Sequence, residues 1–173
     1  VTDDRTGWYN RKLYLAPGQR EENRGNNQPT NLRLIRLAEV YLNYAEALYE
    51  YFKACGNGNA ADARGAVEYT DAEGNAQSVT VPASQTAAKM ASKTRERSSM
   101  PAFATGMTND EFWAEYKNER RVELAFEGHR FYDVRRWMED GDKFMNIHRM
   151  EITKNEDGTF TYKKVAVTRG DGQ

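Results

Sequence analysis

The densest run of ionisable groups in this 173-residue chain lies between Glu119 and Arg136. Glu123 and Glu127 are spaced so that, on a continuous helix, both carboxylates share one face. Paired carboxylates are the equipment of a glycosidase, whose two carboxyl groups sit roughly 5 to 9 Å apart. The neighbours argue for a different chemistry. Arg120, Arg121 and Arg130 flank the pair. Nearby cations depress a carboxylate's pKa, whereas a general acid needs it raised. The pair therefore reads as part of a structural ion network, and no catalytic residue is assigned. His129 and His148 stand in no metal-ligand spacing. Asn155-Glu156-Asp157-Gly158 has turn chemistry but lacks the remaining ligands of a calcium loop. Gly56-Asn57-Gly58 is not a phosphate loop, and no serine sits in a nucleophile elbow. Neither a metal nor a cofactor is expected.

Aromatic residues offer the second chemistry: 3 Trp, 10 Tyr and 7 Phe. A sugar ring stacks its apolar C–H face on a flat aromatic surface, while amides and guanidinium groups hydrogen-bond its hydroxyls. Trp8 and Tyr9 stand in a polar context, followed by the run Gly18 to Asn27, which is rich in Gly, Asn and Gln and reads as an exposed loop. Trp8, Tyr9, Arg24, Asn26 and Asn27 are accordingly the candidate ligand contacts. The competing reading packs Trp8 and Tyr9 against helices. Trp113 and Trp137 fall on helical faces and read as core.

The elements that would position these groups are mostly helical. A helix is expected from about Leu32 to Lys53. Arg36, Glu39, Asn43, Glu46, Glu50 and Lys53 form its polar stripe, with Leu34, Tyr41, Leu48 and Phe52 opposite. Leu37, Val40, Tyr44 and Ala47 widen the apolar surface, so the helix should be packed on several sides within a helical array. Ala66 to Val81 reads as a hairpin turning around Gly74. Ser84 to Arg97 reads as a short helix with Ser84 as N-cap. Thr108-Asn109-Asp110-Glu111 is a capping box opening the next helix, which should bend or break at Gly128. Ile152 to Val167 alternates around Asn155 to Gly158 and predicts a second hairpin.

Composition excludes several partners. The 25 Lys plus Arg against 26 Asp plus Glu leave a net charge of −1, so no basic field exists to draw nucleic acid. No stretch reaches membrane-spanning length. The mean hydropathy of −0.91 predicts a thin core for this length. The single Cys55 excludes an internal disulfide and reads as a small buried or half-buried thiol.

Two segments, Arg36-Leu37-Ala38-Glu39-Val40-Tyr41-Leu42-Asn43-Tyr44-Ala45-Glu46-Ala47 and Glu119-Arg120-Arg121-Val122-Glu123-Leu124-Ala125-Phe126-Glu127-Gly128-His129-Arg130, resemble the carboxy-terminal signature of the SusD/RagB family. Arg95 to Pro101 resembles the family's link between them, with Ser99 where a glycine is usual. The resemblance covers about Leu32 to Trp137. It implies a mainly α fold, a tetratricopeptide-like helical array with long loops and two small β-hairpins. It also implies non-catalytic capture of oligosaccharides, or alternatively peptides, by a surface-exposed outer-membrane lipoprotein that hands them to a SusC-like TonB-dependent transporter. A protein-interaction scaffold and a glycoside hydrolase are the rival readings. Under the resemblance, membrane contact runs only through a lipid anchor outside this chain. Residues 1–173 are then one carboxy-terminal domain of a longer protein. Arg36, Glu39, Glu46, Glu119, Arg120, Glu123, Glu127, Arg130, Asp133, Arg136 and Trp137 are motif residues expected to serve structure rather than ligand.

Overall fold

The apolar period of the first signature segment is realised as a helix over Leu37–Ala54 (α1). The computed structural model describes Lys12 and residues 34–139 and 148–167. The chain divides into two compact units, Leu32–His129 and the combination of Val1–Asn31 with Arg130–Gln173. The first unit holds α1, an antiparallel hairpin of β1 (Gly65–Thr70) and β2 (Ala76–Val81), and helices α2 (Ala87–Glu96) and α3 (Asn109–Glu123). The second holds nearly all of α4 (His129–Arg136) and the antiparallel hairpin of β3 (His148–Lys154) and β4 (Phe160–Ala166). Among the described residues the architecture is mainly α with two small hairpins, as expected.

Helix α1 departs from the expectation in its start and in its faces. It begins at Leu37, with Arg36 as an extended N-cap, and Leu34 and Ile35 precede it 82% and 72% exposed. The buried stripe is Leu42, Ala45, Leu48, Tyr49 and Phe52, at helical spacing. Leu37, Val40 and Tyr44, expected to widen the packed surface, are exposed. Glu46, assigned to the polar stripe, is buried instead. The reason is aromatic: Tyr49 is buried against α3 and pulls the packed face toward itself. Its ring stacks on Trp113 at 5.2 Å and tilts against Phe112 at 5.0 Å. Phe112, Tyr116 and Phe103 extend the cluster, with Trp113 and Tyr116 stacked at 5.4 Å. Such ring pairs contribute about 0.5 to 1.5 kcal/mol each beyond the area they bury.

Backbone groups around this core find partners across long sequence distances. Ala60 N donates to the Asn109 side chain, whose own amide donates to Asn57 O. Phe103 N donates to Ser92 Oγ, and Glu68 N to the Tyr51 hydroxyl, which ties β1 to α1.

Helix ends follow a shared device. The capping box at Thr108 and Glu111 forms reciprocally, as its sequence predicts. The cap of α2 is Thr86 rather than Ser84, and its buried hydroxyl makes no cap bond. At their C-termini, α1, α2 and α4 close with crossed backbone bonds: Asn57 N to Phe52 O, Met100 N to Arg95 O and Glu139 N to Val134 O. This Schellman pattern requires a left-handed residue. Gly56 supplies it in α1, while Ser99 (φ 53°) and Met138 (φ 52°) must adopt it in α2 and α4. The break expected at Gly128 is present: α3 ends at Glu123, turns follow, and α4 starts at His129. Cys55, expected to be buried or half-buried, is exposed beyond α1.

Both hairpins match their predicted turns. Val67 pairs with Val79 and Tyr69 with Gln77 in the first, and Asp71 braces its turn by accepting bonds from Glu73 N, Asn75 N and Gln77 Nε2. The second starts earlier than its alternation suggested, at His148 instead of Ile152. Arg149–Val165 and Met150–Lys164 extend its ladder.

Candidate functional site

Arg36 stands where the signature segments meet. Its Nε donates to Glu127 at 2.7 Å and its Nη1 to Glu123 at 2.5 Å, while Nη2 reaches the Glu123 carbonyl. Burial opposes the guanidinium charge, but the hydrogen bonds it donates to Glu127 and Glu123, with their negative charge, outweigh it and hold its pKa above the ordinary value. Arg97 adds a second cation to Glu123, at 2.9 Å. Glu123 closes α3 and Glu127 lies in the turn beyond it, so the two carboxylates do not share a helix face as expected. They converge instead on Arg36, the extended N-cap of α1. Arg36 and Arg97 both donate to Glu123, while Arg121 donates to Asn118 and Arg130 to Glu139.

A second cluster surrounds Glu119, which is buried. One oxygen accepts from Thr94 Oγ1 at 2.7 Å and the other from Arg95 Nε at 2.9 Å. The Arg95 guanidinium also lies 3.8 Å from the Phe103 ring centroid. In a third cluster, the Tyr116 hydroxyl lies 2.9 Å from Leu42 O and 3.0 Å from Glu46 Oε2. Burial, first, and then the Glu46 charge push the Tyr116 phenol well above its ordinary range. Buried Arg120 donates to Asn43 Oδ1 at 2.7 Å. Glu39 faces His129 at 3.5 Å. In the second unit, Asp133 accepts from Arg136 at 2.9 Å, and Trp137, expected in the core, is half-buried.

This geometry engages the carboxylate oxygens of Glu119, Glu123 and Glu127 with guanidinium groups, and Glu119 with a hydroxyl as well. Among the described residues, no grouping of three or more His, Cys, Asp or Glu could hold a metal ion, and no helix is long and apolar enough to cross a membrane. The candidate contacts Trp8, Tyr9, Arg24, Asn26 and Asn27 lie outside the described residues.

Sequence reasoning passed over a different set of aromatics. Tyr69 is 52% exposed on the first hairpin, Phe160 53% and Tyr162 65% on the second. On α4, Phe131 and Tyr132 meet edge to face at 5.3 Å, with the Arg135 guanidinium over Phe131. The alternation of Phe160 and Tyr162 was a legible signal that both project from one face of a strand.

No curated protein and no solved structure gives a significant match. The family model described as SusD family matches residues 2–171, well beyond the Leu32 to Trp137 stretch that carries the visible signature. The chain therefore belongs to the SusD family, a non-catalytic binding family associated with nutrient or glycan binding at the cell surface.

Proposed function

We propose that this chain serves the capture of oligosaccharides at the bacterial outer surface, for import through a SusC-like TonB-dependent transporter. The observation that carries the reading is the family match over nearly the whole chain. The commitment of Glu119, Glu123 and Glu127 to arginine partners supports a binding role over a hydrolytic one. In this reading the helices are arranged as a tetratricopeptide-like array, and the protein is an outer-membrane lipoprotein anchored outside this chain. Trp8, Tyr9, Arg24, Asn26 and Asn27 supply ligand contacts. The motif residues Arg36, Glu39, Glu46, Glu119, Arg120, Glu123, Glu127, Arg130, Asp133, Arg136 and Trp137 hold the scaffold.

The test is a binding panel that sets oligosaccharides against peptides of similar size, run with the protein alone and with its membrane transporter. Saturable oligosaccharide binding without bond cleavage is the expected result. Peptide binding alone would replace the reading with a peptide-capturing member of the same family. Trp8→Ala should weaken oligosaccharide binding by about 1 to 3 kcal/mol, the range for losing one aromatic stacking platform.

A further inference from the structure

The β3–β4 hairpin segregates its side chains by face. Register pairs Met150 with Lys164, Ile152 with Tyr162 and Lys154 with Phe160. Alternation puts all six on one side of the two-stranded sheet. The opposite side carries Glu151 paired with Lys163 and Thr153 paired with Thr161. On the first side Ile152, Phe160 and Tyr162 are each more than half exposed, and Lys154 and Lys164 are exposed beside them. No carboxylate shares that side of the ladder, because Glu151 projects from the other one and Glu156 and Asp157 belong to the turn. Asp157 is engaged within the turn by Thr159.

A hairpin usually turns its apolar side inward and its charges outward. Here two aromatic rings and an isoleucine face solvent, rimmed by two cations with no acidic counterpart on that side of the ladder among the described residues. Flat rings suit the C–H face of a pyranose, and the flanking ammonium groups suit an anionic substituent on it. A neutral sugar could accept hydrogen bonds from the lysines but would leave their charge unmatched, and a purely apolar partner would leave both charge and donors unmatched.

We propose that this face of the β3–β4 hairpin is a contact site for acidic oligosaccharides, meaning chains that bear uronic acid or sulfate groups. Sugar rings stack on Tyr162 and Phe160, and the anionic groups pair with Lys154 and Lys164. The proposal rests on the capture reading above and names the ligand class for one surface of it.

The experiment titrates the full chain with oligogalacturonates and, separately, with neutral maltooligosaccharides of equal length, at low and at physiological salt. The parent should bind the oligogalacturonate more tightly, and salt should weaken that binding. Lys154→Gln combined with Lys164→Gln should weaken it about fivefold, as expected for two exposed charge pairs. Tyr162→Ala should weaken it about tenfold. Lys163→Gln, on the opposite face, should leave it unchanged. All positions are exposed, and circular dichroism checks that each variant folds. If Tyr162→Ala does not fold, the lysine pair carries the test.

Oligosaccharide binding that ignores charge, or that survives both the lysine and the tyrosine variants, overturns this proposal and leaves the capture reading standing. Binding of neither oligosaccharide, with peptides bound instead, overturns both. Sedimentation of the parent with vesicles of phosphatidylcholine and phosphatidylglycerol, lost in the lysine variant and without oligosaccharide binding, would assign the face to lipid headgroups and also overturn the proposal.

Discussion

Arg36 illustrates how one residue joins distant parts of the chain, since its partners Glu123 and Glu127 lie 87 and 91 residues away. Its side chain is only 19% exposed, so its removal takes a part-buried cation away from two carboxylates. Arg36→Ala should destabilise the fold by about 3 kcal/mol and lower Tm by roughly 6 to 12 °C. Arg36→Lys should recover part of this, because it restores charge without the two-pronged geometry. Thermal melts of the two variants check both statements. Buried Tyr116 and Tyr49 give a pH prediction. Burial raises the Tyr49 phenol to about 12, with Glu50 and Asp110 adding to the effect, and raises Tyr116 further. An unfolded chain ionises these phenols near 10. Their contribution to stability is therefore fully present below that pH and is lost as pH rises through and beyond 12. Tyr116→Phe should flatten the decline in Tm above pH 10. An alkaline profile identical to the parent's would show that this phenol titrates normally in the fold.

Elements are set by their ends as much as by their faces. Thr108 caps α3 through its side chain, and the box is closed by Glu111. Thr108→Ala should cost about 1 kcal/mol in chemical denaturation. Beyond α2, Ser99 occupies a left-handed conformation that favours glycine. A non-glycine residue pays about 1 to 2 kcal/mol for that geometry, partly offset by the extra freedom that glycine brings to the unfolded chain. Ser99→Gly should therefore stabilise the protein by about 0.5 kcal/mol or more, read from the denaturation midpoint. A destabilised variant would mean that Ser99 makes an interaction worth more than its strain. The Schellman closure explains why glycine suits this position: the crossed bond from Met100 N to Arg95 O forms only if the intervening chain turns left-handed.

At the scale of the whole molecule, the ion network and the family match point to the same behaviour. Incubation with a broad oligosaccharide panel should release no products, and Glu123→Gln should alter Tm without altering any chemistry. Turnover abolished by Glu123→Gln would return the pair to the role of acid and nucleophile. The reading of residues 1–173 as one domain is checked by calorimetry. A single transition sustains it, and two separate transitions would replace it with two independently folding units.

Local pattern carried a large part of this protein. Period and turn chemistry located the helices and both hairpins, because 3.6-residue and two-residue alternation are properties of neighbouring residues. The capping box at Thr108, the break at Gly128 and the family signature were legible for the same reason. What tertiary structure decided was the use of side chains that pattern left ambiguous. Glu46 is buried because Tyr116, 70 residues away, brings its hydroxyl to it. The exposed face of Leu37, Val40 and Tyr44 follows from where the aromatic cluster pulled α1. Glu123 and Glu127 both accept from Arg36, and Glu123 from Arg97 as well, cations that lie far from them in sequence. A guanidinium reaches several ångströms beyond its backbone, so sequence adjacency says little about its partner, and only the packed helices determine which carboxylate it finds.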